Sequence, residues 1–165
     1  MGELTPPDSH HLSAASGWRE LGNPVEARSE LRRIAASNRD HPDVLEEEWS
    51  ICAAERQWLP ALEVARKLVE VAPGRPSGWI QQSFSLHEMK LTEEAWNQLL
   101  PVAEKFATDG TIPYNLACYA CQWGNLEQTR QWLARAVQIR GGKAVKKMAL
   151  SDPDLLAMWE EIKRL

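Results

Sequence analysis

Few residues in this chain have the type and spacing to do chemistry. Cys118-Tyr119-Ala120-Cys121 is a C-x-x-C. A redox pair of this kind needs a thiolate stabilised at a helix N-terminus or by a neighbouring cation. A structural zinc site needs four ligands. The sequence holds no second C-x-x-C and no H-x-x-x-H, and Cys52 and His87 are the further candidates outside the N-terminus. The ligand count fails, so Cys118 and Cys121 read as small packing or groove-lining residues, with a metal or redox role as the minor alternative. Glu46-Glu47-Glu48 could do acid–base work only if the surroundings split its pKa values. Nothing in the sequence supplies the second group, and a solvated first helical turn, favoured by the helix dipole, is the expected reading. His10-His11 reads as a solvated helix entry, and Lys143, Lys146 and Lys147 as solubilising charge. Gly-rich phosphate loops, nucleophile elbows and zinc-protease helices are missing from the sequence. No catalytic residue, metal or cofactor is expected.

The elements that would position any such residue follow from composition and periodicity. The chain has 165 residues, 44% hydrophobic and 25% charged, which suits a single globular domain. With 19 Lys+Arg against 23 Asp+Glu, the net charge is -4, which argues against a broad nucleic-acid surface. No run is long and apolar enough for a transmembrane helix. Residues Met1 to His11 lack the apolar core of a secretory signal, and three cysteines suit a reduced compartment, so a cytoplasmic protein without membrane contact is expected. Eight of the twelve aromatic residues are Trp.

A 34-residue step runs through the chain. Ala27, Ala61, Ala95 and Thr129 form one column of small residues, and Leu31, Ala65, Leu99 and Leu133 lie four residues after them. Ile34, Leu68, Val102 and Ala136 form a third column, and Ala35, Val69, Ala103 and Val137 a fourth. Gly22-Asn23 recurs as Gly124-Asn125, three steps on. Gly ends a helix in a left-handed conformation, and Asn caps the next one. Glu26 and Gln128, three residues after each Asn, complete the pattern of a capping box. The apolar spacing between turns is helical, and no period-2 alternation suggests a sheet. Helices are expected at 9–21, 24–38, 43–56, 59–72, 77–90, 93–107, 112–123 and 126–139, with Asp43 marking the start of the third. A short helix near 143–149 and a last one from Pro153, capped by Asp152, to about Lys163 follow. Pro101 should kink the sixth helix near Asn97–Pro101.

A 34-residue helix–turn–helix repeat with small residues on its second helix resembles the tetratricopeptide repeat family, in a divergent, bacterial-looking form. The segment Tyr114 to Glu127 carries the resemblance best, and the tail from Ala149 to Ile162 looks like the closing segment of many bacterial members. The resemblance implies an all-α right-handed solenoid of about four hairpins. The units are 9–41, 42–75, 76–109 and 110–141 of one domain, and the cap is 142–165. It places Ala15, Trp49, Ser83 and Ala117 where first helices pack closest, and Trp49 is too large for the ordinary contact.

The resemblance also implies a concave groove lined by first helices. Its candidate positions here are Glu46 and Ser50, then Ile80, Gln81, Phe84 and His87, then Tyr114, Asn115 and Cys118. Phe84 and Tyr114 would be the aromatic anchors. Members that clamp a C-terminal carboxylate use cations and Asn at positions that here hold Leu12, Ser16, Glu47, Ser77 and Gln81, so that role is excluded. Trp18, Trp58 and Trp79 should be structural; Trp96, Trp123 and Trp132 are less standard, with room for one on the outer face, and several there would imply self-association or partner docking. The expected function is non-catalytic binding of a protein or peptide as a scaffold or adaptor. The alternative is a small secretion-type chaperone holding a client segment.

Overall fold

The computed structural model describes residues 2–164. Among them there is no strand. The helices are α1 (Asp8–Glu20), α2 (Pro24–Arg33), α3 (Pro42–Ala54), α4 (Trp58–Val71), α5 (Pro76–Glu88), α6 (Thr92–Leu99), α7 (Thr111–Gln122), α8 (Leu126–Arg140), α9 (Gly142–Ala149) and α10 (Trp159–Ile162). Three 3-10 turns lie at Ala36–Asn38, Leu100–Val102 and Pro153–Met158. The chain divides into two compact units, one reaching to Ser85 and the other starting at Leu86.

The 34-residue step is written into the backbone of every hairpin. Gly22, Arg56, Lys90 and Gly124 all have positive φ, at 76°, 56°, 67° and 75°. At each, the following N–H reaches back to a carbonyl five residues earlier: Asn23 to Trp18 at 2.8 Å, Gln57 to Cys52 at 2.9 Å, Leu91 to Leu86 at 2.9 Å and Asn125 to Ala120 at 3.0 Å. This closes the helix with a left-handed residue and satisfies its last carbonyls. Asn23 and Asn125 then cap the next helices, accepting from the N–H of Glu26 and Gln128 at 3.2 Å each. The capping box is one-sided, because each Asn N–H already bonds the preceding helix.

In the first unit, α1 packs on α2, α3 on α4, and α1 and α2 on α3. Its core includes Ala15, Ala27, Leu31, Ile34, Val44 and Ile51. Asp8 is buried and holds the turn after α2, accepting from the Ala35 N–H at 3.1 Å and the Asn38 amide at 2.7 Å. This turn stops α2 at Arg33, short of the expected 38, and leaves Ala35 exposed, so the fourth column is not a core column there. The cap of α3 is His41, whose Nδ1 accepts from the Asp43 N–H at 3.3 Å. Asp43 itself pairs with Arg75 at 2.5 Å.

In the second unit, α7 packs on α6 and α8, α9 on α8, and the Pro153–Met158 turn on α7. Pro101 does not kink α6. The helix ends at Leu99, and Pro101 sits in the 3-10 turn after it, where its missing N–H costs no ladder bond. The final segment is shorter in helix than expected. Asp152 caps it, accepting from the Asp154 N–H at 3.0 Å, but only Trp159–Ile162 is α-helical. Leu155, Met158 and Ile162 are buried there, which makes the segment an apolar lid on its own unit. Burying three such side chains stabilises by about 1.5–3 kcal/mol each.

Candidate functional site

The nine candidate groove residues fall into two sets with different surroundings. Glu46, Ser50, Ile80, Gln81 and Phe84 belong to the first unit and are half-buried. His87, Tyr114, Asn115 and Cys118 belong to the second and are buried, each 8% exposed or less.

In the first unit, carboxylates tie the first helices together. Glu47 of α3 accepts from Ser16 and Arg19 of α1, both at 2.7 Å. Its neighbour Glu46 accepts from Ser77 of α5 at 2.6 Å. Arg75 bridges Asp43 and Glu46, the latter at 3.4 Å. The run Glu46–Glu48 is therefore not a solvated turn. Glu47 is 7% exposed and paired, and only Glu48 faces water. Trp49 donates its indole N–H to Ser85 at 3.0 Å and meets the Phe84 ring edge-on at 6.1 Å. Trp58 meets Phe84 from another side at 5.7 Å. Such edge-to-face contacts lock the Phe84 ring. The ring sits among other rings because Trp49 stands where Ala15, Ser83 and Ala117 are fully buried in the other hairpins. Gln81 carries the anomaly of this face: its Oε1 is buried and has no donor among the described residues.

In the second unit the C-terminal segment covers the candidates. The Tyr114 hydroxyl donates to Asp152 at 2.8 Å, and the Cys118 thiol lies 3.6 Å from the same oxygen. The His87 ring bonds Asp154 at 2.8 Å through Nε2 and Thr92 at 2.9 Å through Nδ1, and stacks on Tyr119 at 4.8 Å. Gln122 donates to the Asp154 carbonyl at 2.9 Å. Burial, reinforced by Asp152, pushes the Cys118 thiol well above its ordinary pKa, and burial pushes Cys121 up as well. Burial likewise raises the Tyr114 phenol. These are the opposite of the shifts an activated thiolate needs. Among the described residues no three His, Cys, Asp or Glu side chains converge as metal ligands. Tyr114 is thus a core hydrogen-bond donor, not an open anchor. The contacts of Asp152 and Asp154 with α7 and His87 reach far along the chain, so no local sequence pattern announces them.

His11 is not a free helix entry either, since its Nδ1 lies 2.8 Å from Glu30 of α2. Lys146 donates to the Lys163 carbonyl at 2.7 Å. No helix is long and apolar enough to cross a membrane among the described residues.

No family model matches the sequence, and no curated protein matches it. Solved structures do. A thermophilic TPR protein of Thermus thermophilus, TTC0263, superposes with a TM-score of 0.72 over 96% of this chain and 100% of its own, at 16% identity. PilF of Pseudomonas aeruginosa gives 0.76 over 95% of this chain and 72% of its own, at 18% identity. MamA of Desulfovibrio magneticus RS-1, from residue 41 to its end, gives 0.70 over 98% of each chain, at 17% identity. The chain has the tetratricopeptide-repeat fold. In that fold the hairpins α1/α2, α3/α4, α5/α6 and α7/α8 are four repeats, and residues after Gly141 close the last one. The left-handed residues at 22, 56, 90 and 124 mark the turn inside each repeat.

Proposed function

We propose that this protein is a non-catalytic protein-interaction module that takes a peptide segment on the α1/α3/α5 face of its first unit. The fold supports an interaction role in general, since stacked hairpins offer broad surfaces and rigid side-chain positions. The observation that carries the finer reading is Gln81. A buried amide oxygen without a donor costs about 1–3 kcal/mol, and a turn of the half-buried Gln81 side chain would bring it to a ligand N–H. Ser50, Ile80 and Phe84 lie half-buried on the same helices and would supply a small polar contact, an aliphatic contact and an aromatic wall. Tyr114 and Cys118 play no part, because both are buried and bonded to Asp152 of the C-terminal segment.

The test is capture from lysate of the source cell by wild type and by Ser50→Arg/Gln81→Met, compared at equal helicity and equal Tm. A protein retained by the wild type and lost from the variant supports the reading. Equal retention moves the interface off this face.

A further inference from the structure

The second unit carries an aromatic strip of its own. Trp123, at the end of α7, meets Trp96 of α6 at 5.4 Å and 60°. Trp96 meets Trp132 of α8 at 6.2 Å and 84°. Trp49, Trp79 and Trp159 each give their indole N–H to an acceptor of the chain. Trp96, Trp123 and Trp132 give theirs to none among the described residues, and Trp123 is 44% exposed. Leu91 and Leu100 are exposed at the two ends of α6. An unpartnered apolar strip of this kind marks an interaction surface.

One end of the strip already shows which chemistry it accepts. The Arg135 guanidinium lies over the Trp132 ring at 5.6 Å, and Glu104 holds it at 2.6 Å. The other end repeats the ingredients without the cation. Glu93 stands three residues before Trp96, on the same side of α6, with Glu94 beside it. Glu127 lies in the first turn of α8, just past the turn after Trp123. All three carboxylates lie at the surface. Arg130, the cation that Glu127 feels, is held by Glu161 at 2.7 Å. The exposed Trp123 indole, backed by the half-buried Trp96 and flanked by surface carboxylates, complements a guanidinium, which stacks on the ring and pairs with the acids.

We propose that the Trp123–Trp96 end of this strip binds an arginine side chain on a basic segment of a partner protein. The free indole N–H groups would donate to the carbonyls of that segment.

The probe is a nine-residue peptide of three Gly-Ser-Arg repeats, titrated against the full chain at low salt. Its counterpart carries citrulline, which keeps the shape and loses the charge. The arginine peptide should bind at least tenfold tighter than the citrulline peptide. Trp123→Ala should weaken it about three- to thirtyfold, the span of a cation–π contact. Glu93→Gln/Glu94→Gln/Glu127→Gln should weaken it further and flatten its salt dependence. Glu48→Gln/Glu63→Gln/Glu70→Gln, which removes the same charge from the other unit, should leave it within twofold. Equal binding of the two peptides, wild-type affinity in Trp123→Ala, equal loss from the two Gln triples, or no binding by the wild type would each overturn the proposal.

Discussion

Asp8 and the buried cysteines show how single side chains answer to their surroundings. Hydrogen bonds from Asn38 and from the Ala35 N–H hold the Asp8 carboxyl below its ordinary pKa. A carboxylate depressed in the folded state adds stability above its unfolded pKa, near 3.9, and loses it as pH falls through the folded value. Asp8→Asn should therefore melt below the wild type at pH 6, and the gap should close as pH drops below about 4. Melting curves at steps of pH would check this; a gap that stays constant would mean the stabilisation is not ionic. For Cys118 and Cys121 the shifts run upward, so at pH 8 both remain thiols in the native protein. Their reaction with a thiol reagent should be at least about tenfold slower in buffer than in denaturant, because the thiolate is the reactive form. Native labelling at the denatured rate would show an accessible, activated pair instead. The types and spacing of these cysteines could be read from the sequence. A packing role could be read there too, but not its cause, because the burial and the Asp152 contact come from a distant part of the chain.

Helix boundaries show where local chemistry suffices and where it fails. Asn23, Asn125 and Asp152 were legible as caps, since a cap acts within three residues. The left-handed residues were legible only where they are Gly. Arg56 and Lys90 take the same conformation with a side chain that disfavours it, imposed by the packing of their hairpins. A left-handed non-Gly residue costs about 1–2 kcal/mol. Gly relieves that strain and returns part of it as unfolded-state entropy. Arg56→Gly and Lys90→Gly should each raise stability by about 0.5–1 kcal/mol. Urea melts would read this directly, and a lower midpoint for either variant would mean its turn is not strained. Pro101 was legible as a break but not as a stop. Whether a proline kinks or ends a helix depends on the conformation of the residues around it, and here Leu100–Val102 form a 3-10 turn.

At the level of the whole chain, the 34-residue step made the fold readable, because each repeat fills its own core column with small residues. Ala27, Ala61, Ala95 and Thr129 are all fully buried. The same regularity is a poor guide to the site. Groove positions mapped by register treat all hairpins alike, whereas the C-terminal segment seals those of α7 and His87 of α5, while Glu46, Ser50, Ile80, Gln81 and Phe84 are half-buried. Carboxylates on α3 depart from the register too, since Glu46 and Glu47 serve as ties between helices. The measurement that bears most directly on the function is site-specific photo-crosslinking in the source cell. A benzophenone side chain would replace Ser50 or Gln81 on the open face, and Leu59, exposed elsewhere in the same unit, as the control. The expected result is one discrete adduct, shared by positions 50 and 81 and missing at 59. Adducts at 59 alone, or none at 50 and 81, would contradict a ligand on the α1/α3/α5 face.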